Sequence, residues 1–213
     1  DYTIYSHNQL YGVWKIARRG RYPKTNRSLR LALHTASHSA LLYSASDISV
    51  WSREDLGQHP FLQAIGPDLL SPELSWRDIE KRLQESRFAG RSLGSLYLDQ
   101  HFLAGSGNYL RAEILFCAGL HPARRPRDLS RGERGRLARQ SLAVTERSYR
   151  TAGITLTPKL AAAAQKQAKA FERRRFFVFA RDGQPCYRCG SHIRRDSMGS
   201  RRIYWCPSCQ VRQ

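Results

Sequence analysis

CYRCGSHIRRDSMGSRRIYWCPSC, residues 186–209 of a 213-residue chain, is the stretch from which the rest can be read. Cys186, Cys189, Cys206 and Cys209 form two CxxC pairs around 16 intervening residues. Each pair offers two thiolates from one tight turn, and two such turns complete a tetrahedral four-thiolate site. All four positions are cysteine, so the spacing predicts one structural Zn2+ with no open position for catalysis. Gly190 follows the first pair and Pro207 lies inside the second, at positions where such turns need them. Arg194, Arg195, Arg201 and Arg202 lie between the pairs, and Arg188 sits inside the first. A metal knuckle so heavily loaded with positive charge calls for an explanation.

The charge extends beyond the knuckle. The chain has 36 Lys+Arg against 17 Asp+Glu, a formal net charge of +19. Residues 1–120 are nearly balanced, with 14 basic and 11 acidic; residues 121–213 hold 22 basic and 6 acidic. So strong and local a field suits a polyanion, and nucleic acid is the usual one. A merely solvated basic surface is the plainer alternative. No apolar run approaches the ~20 residues of a membrane-spanning helix, and no secretory pattern opens the chain. The expectation is a cytoplasmic protein with reduced thiols and no disulfide framework. Cys117, in the apolar run EILFCAGL, reads as a small core residue. His192 reads as a surface residue, because four thiolates need no fifth ligand.

Residues 1–50 read as strands. YTIYS, YGVWKIA, LRLALHT and ALLYSA are short apolar runs rich in Tyr, Val and Ile, broken by RRGRYPKTN and ASHS. Residues 52–74 are turn-rich and read as a linker. Helices are expected at SWRDIEKRLQES, at SLYLDQHFLAG, at NYLRAEILFCAG and across DLSRGERGRLARQSLAVTERSYR. In the third, Leu110, Ile114 and Cys117 share a face. In the fourth, Ser130 and Glu133 make a capping box. Residues 151–170 carry few large apolar groups and read as a loop or a weak helix. In FLAGSGNYLRAEIL, Gly105 and Gly107 permit a tight turn. Asn108 then falls at a helix start, where free backbone N–H groups can cradle a phosphate. An ordinary Gly-Asn loop capping a helix fits these residues equally well.

GSGNYLRAEIL resembles the helix–two-turn–helix signature of the formamidopyrimidine-DNA glycosylase / endonuclease VIII family. CYRCG…SRRIYWCPSC resembles that family's C-terminal zinc finger. YSHNQLYGVW, LLYSASDI and HPFLQ-x-x-GPD are similar to the endonuclease VIII branch in particular. The similarity covers nearly the whole chain and is poorest over residues 121–175.

The resemblance implies a bifunctional base-excision repair enzyme, a DNA glycosylase and abasic-site lyase for oxidised bases, pyrimidines in particular. Such enzymes flip the base from the duplex at a cost of roughly a few kcal/mol. The family fills the void with a loop that matches Gln9, Leu10 and Tyr11. Asn108 matches a phosphate-binding Asn. Arg201 matches the zinc-finger Arg that grips phosphates at the lesion, to which the family pattern also gives a part in elimination. A guanidinium is a bidentate phosphate ligand and is almost never neutral, which favours the clamp over the proton transfer. On this reading the metal supplies folding energy to a segment too small for its own core and holds an arginine against the DNA backbone. Arg188, Arg194, Arg195 and Arg202 read as nonspecific charge.

There are departures from the family pattern. The family has a DNA-contacting basic residue where this chain has Ala64. The family's nucleophilic N-terminal Pro, the Glu that follows it and an assisting Lys find no match here; the expectation is a C-terminal fragment, inactive by itself. The implied fold is α+β. Residues 1–51 would be the rest of a β-sandwich and 52–74 a linker. Residues 75–175 would be the helix–two-turn–helix domain and 176–213 a zinc-bearing β-hairpin. The expected partner is damaged double-stranded DNA, bound by a monomer at the bacterial nucleoid. The rival readings are a non-catalytic zinc-ribbon DNA-binding module, which has no reason to carry YSHNQLYG, and an RNA-binding zinc ribbon, which affinity for lesion-bearing duplex over single-stranded RNA would separate.

Overall fold

The apolar runs of the first 52 residues become five antiparallel strands. They are β1 (Tyr2–His7), β2 (Val13–Arg18), β3 (Leu29–His34), β4 (His38–Tyr43) and β5 (Asp47–Ser52). β1 pairs with β5, and β4 lies between β2 and β3. ALLYSA is apolar without alternation because β4 is the central strand, and Leu41, Leu42 and Tyr43 are buried there. β5 was not singled out in the sequence. A short 3-10 turn (Leu56–Gln58) and α1 (Pro60–Ala64) follow. The computed structural model describes residues 1–8, 11–167 and 170–212, and the chain divides into two compact units, Asp1–Ala64 and Ile65–Gln213.

The second unit is built around one buried helix. Its elements are α2 (Trp76–Leu83), α3 (Ser86–Ala89), α4 (Leu93–Leu96), α5 (Asn108–Ala118), α6 (Arg131–Arg150), α7 (Pro158–Gln167), β6 (Arg194–Met198) and β7 (Arg201–Trp205). The Ser130–Glu133 capping box opens α6 as expected, and a Ser75–Asp78 box opens α2. Leu110, Ile114 and Leu115 of α5 join a core that takes in Ile79, Leu83, Leu93, Phe102 and Leu137. The opposite side of α5, through Ala112 and Phe116, joins a second core with Leu156, Phe177, Val178, Ile193 and Ile203. Cys117 touches both cores and is half-buried, so its thiol is pushed up to about 11 by burial. Leu69, inside the expected linker stretch, is buried in the first core.

One expectation fails. SLYLDQHFLAG is not one helix: only its first two residues, Ser95 and Leu96, are helical, at the end of α4, and the chain then turns. Asp99 accounts for this, since its carboxylate accepts the His101 amide at 2.9 Å and its carbonyl accepts the Phe102 amide at 2.9 Å. Turning lets the adjacent pairs Leu96–Tyr97 and Phe102–Leu103 all be fully buried, which one helical face could not do. The cysteine hairpin, as expected, has no core of its own and shares one with the rest of the unit. Cys186, Ile193, Ile203, Tyr204 and Cys206 are part of the second core and pack with Phe116 of α5. Among the described residues, no helix is long and apolar enough to cross a membrane.

Candidate metal centre and nucleic-acid interface

The four predicted cysteines converge. Their Sγ atoms all lie within 4.8 Å of one another. Cys186 is 3.9 Å from Cys209, and Cys189 is 3.4 Å from Cys206. Zn–S bonds of about 2.3 Å at tetrahedral angles require sulfur–sulfur edges near ~3.8 Å, so the set fits one zinc ion. Both knuckles are tied by backbone bonds: Gly190 N–H donates to Cys186 O at 2.9 Å, and Gln210 N–H to Cys206 O at 3.0 Å. Hydrogen bonds from Ser191 lower the Cys189 thiol to about 6, while burial raises Cys206 and Cys209. A bound dication reverses that burial effect by taking all four as thiolates. His192 is exposed and outside the cluster, as expected.

Asn108 is the first residue of α5. Gly105, with φ +84°, makes the turn before it. Gln100 clamps that turn, accepting the Gly105 amide at 3.0 Å and donating to Ser106 O at 2.9 Å. No side chain caps α5, unlike α2 and α6, so its first amides are open. Two buried oxygens beside them, Asn108 Oδ1 and Ser106 Oγ, have no partner among the described residues. The arrangement can receive an anion, which the sequence left level with a plain helix cap.

Arg201 opens β7 and is exposed, opposite Met198 in the hairpin. Its placement depends on a residue the sequence reading missed. Arg111, one turn into α5, is fully buried. Its guanidinium donates to Gly94 O at 2.7 Å, to Arg202 O at 3.0 Å and to Arg201 O at 3.4 Å. The base of the hairpin's second strand is thereby pinned one helical turn from Asn108. Burial lowers Arg111 to about 10, with Arg201 adding to the effect, so it remains charged at neutral pH. Glu113 ties in the chain before the first knuckle, accepting the amides of Phe177, Val178 and Phe179 at 2.7–2.9 Å. Burial raises its pKa, against the hydrogen bond from Thr155 and those three amides. Two charged residues on inward faces of an otherwise apolar helix were the available signal.

Arg188 corrects the reading of nonspecific charge. It donates to Phe116 O at 3.2 Å, and its guanidinium stacks 4.4 Å from the Phe116 ring. It docks the first knuckle on α5. Arg194 and Arg202 are exposed, and Arg195 meets Asp182 at 3.3 Å. In the first unit, Gln9 and Leu10 lie outside the described residues. Tyr11 is 68% exposed, and the Arg27 guanidinium donates to its carbonyl. The loop is closed by the Gly12 amide on Asn8 O at 2.7 Å. A Cβ at Gly12 would come 2.6 Å from Asn8 Cα, so only glycine fits.

Residues 65–159 match the formamidopyrimidine-DNA glycosylase H2TH domain, and residues 183–211 match the zinc finger found in FPG and IleRS. Endonuclease 8 of Shigella sonnei strain Ss046 is 47% identical over 210 residues, covering 99% of this chain and 76% of that protein. Endonuclease 8 of Escherichia coli strain K12 / DH10B is equally similar. The chain belongs to the endonuclease 8 family. The endonuclease 8 and formamidopyrimidine-DNA glycosylase family consists of DNA glycosylase/abasic-site lyases of base-excision repair. The fold is that of Lactococcus lactis formamidopyrimidine-DNA glycosylase bound to DNA containing an abasic site. The TM-score is 0.77 at 20% identity, covering 100% of this chain and 75% of that one. MutM in complex with DNA containing carbocyclic 8-oxo-G also aligns over 100% of this chain and 75% of that one, with TM-score 0.77 at 19% identity. The zinc-finger match over residues 183–211 and the four convergent thiols agree on one zinc ion.

Proposed function

We propose that this chain serves base-excision repair by gripping damaged duplex DNA around an extruded oxidised base, a pyrimidine in particular. The carrying observation is the open start of α5, whose free amides lie one turn from the arginine that pins Arg201. Asn108 and Arg201 hold phosphates on either side of the lesion. Gln9, Leu10 and Tyr11 occupy the vacated stack; Tyr11 offers an exposed ring on a loop closed at its base. Residues 75–175 carry the phosphate cradle and residues 176–213 the zinc-held arginine, following 1–51 and the 52–74 connection. The protein works as a monomer in the bacterial cytoplasm, at the nucleoid.

The step assigned to these residues is recognition, and Arg201 assists elimination as a fixed charge. The test is binding of a duplex with an abasic-site analogue against the same undamaged duplex. Asn108→Ala and Arg201→Ala are expected to weaken both at least tenfold. Each should make the dependence of log K on log salt shallower by about 0.9 for every phosphate no longer gripped. Unchanged affinity in both variants would refute this reading.

A further inference from the structure

α6 carries a second basic surface at the end away from Asn108. The two helices run antiparallel: Tyr109 at the start of α5 meets Ser148 near the end of α6, and Arg136 near the start of α6 donates to Ala118 O at the end of α5. At 1.5 Å per residue, Arg131 and Arg139 lie about 25 and about 14 Å along α6 from Ser148. This end of α6 packs against α2, and together they line adjoining grooves of ≈ 460 and ≈ 300 Å³. The lining holds five cations, Arg77, Lys81, Arg131, Arg134 and Arg139, against one carboxylate, Glu80. Among the described residues, the side chains of Arg77, Lys81, Arg131 and Arg139 make no hydrogen bond or ion pair.

The helix surface between them is bare. Gly132 and Gly135 precede Arg139 at i−7 and i−4, on one face of α6. Each glycine in a helix costs roughly 1 kcal/mol relative to alanine. A Cβ at Gly135 would meet the Arg139 guanidinium at 3.4 Å, so glycine lets Arg139 lie back along the helix. There it reaches Trp76: the guanidiniums of Arg139 and Arg77 each lie 4.8 Å from the Trp76 ring centroid. Trp76 is occupied in orienting two arginines, which leaves a phosphate surface and not a base-stacking platform.

We propose that this α2–α6 face docks the phosphodiester backbone of a second segment of duplex DNA. The charge is complementary, arginine forks suit phosphate oxygens, and the ~12 Å from Arg131 to Arg139 matches three to four base-pair rises along the duplex axis. The surface reads no sequence and no lesion. It lets the protein hold one duplex at Asn108 and Arg201 while sampling another.

The experiment uses the full chain carrying Asn108→Ala and Arg201→Ala, titrated with undamaged duplex at low salt. Residual binding is expected. Adding Arg77→Ala, Arg131→Ala and Arg139→Ala should reduce it at least tenfold and make the salt slope shallower by about 2.7. Among the described residues Arg131 makes no contact of this kind, whereas Arg77 and Arg139 stack on Trp76, so the melting midpoint is followed alongside. If it falls, Arg77→Gln with Arg131→Gln reads the same slope, shallower by about 1.8. Residual binding that survives these substitutions overturns the proposal. So does displacement of the duplex by a glutamate-rich peptide of equal charge at equal concentration, which would mark an acidic-protein site. Failure of the Asn108 and Arg201 reading shows separately, as unaltered lesion binding in those two single variants.

Discussion

Arg111 donates to the carbonyl oxygen of Arg202 at 3.0 Å, joining the second turn of α5 to the second strand of the cysteine hairpin. The two residues are 91 positions apart; Arg111 is fully buried, while its bond to Arg202 is part-buried. Removing the donor strands the buried carbonyl of Gly94, which costs about 1–3 kcal/mol, and releases that of Arg202. Arg111→Ala should therefore lower stability by about 1–3 kcal/mol, as measured by denaturant unfolding. It should also reproduce much of the weakened DNA binding of Arg201→Ala with zinc still bound. Arg111→Lys should recover part of the stability but not the simultaneous bonds to Gly94 and Arg202. DNA affinity unchanged by Arg111→Ala would detach Arg111 from the clamp.

Metal removal should act on the hairpin first. One zinc per chain is expected by elemental analysis. Cys206→Ser should abolish it, because Cys206 is fully buried and supplies one of four thiolates. The hairpin shares the second core with Phe116, so α5 and α6 should stay helical by circular dichroism while duplex affinity falls. Global unfolding on chelation would mean that the metal, and not the shared core, holds this unit together.

Gly12→Ala is expected to separate lesion preference from overall affinity. The added Cβ would lie 2.6 Å from Asn8 Cα and would force open the loop that carries Tyr11. Affinity for undamaged duplex and its salt slope should stay within twofold of the parent. Preference for duplex with an abasic-site analogue should drop at least fivefold, as it should in Tyr11→Ala. Equal losses on both duplexes would place this loop on the backbone and not at the void.

Acid should weaken the second unit through Glu133. Burial pushes this carboxyl up, but hydrogen bonds from Arg124 and Ser130 outweigh it and hold it below the usual range. A carboxyl depressed in the folded state contributes stability above its unfolded pKa, near ~4.3. That contribution is lost as pH falls through the folded value. Glu133→Gln should cost about 1–2 kcal/mol at pH 7. The variant should also show a flatter fall in melting temperature below pH 4.5 than the parent. Identical acid limbs would remove Glu133 from the account.

The sequence by itself determined the elements whose signal is local. Four cysteines at fixed spacing define a zinc site because two short turns already hold two ligands each. Ser130 and Glu133 start α6, and Gly105 makes the turn before Asn108, through interactions within a few residues. Only the tertiary structure decided what depends on distant partners. Leu110, Ile114 and Cys117 gave one apolar face of α5, but the second face became legible only when the cysteine hairpin packed on it. SLYLDQHFLAG has helical periodicity, yet Asp99 and the need to bury two adjacent apolar pairs bent it into turns. Arg188 looks like an ordinary surface charge in a basic chain, and Arg111 and Glu113 stand out only as charges within an otherwise apolar helix. Their partners are carbonyls, amides, a hydroxyl and a ring that lie between 17 and 91 residues away, apart from the helix itself, and charged side chains become structural only where such groups surround them.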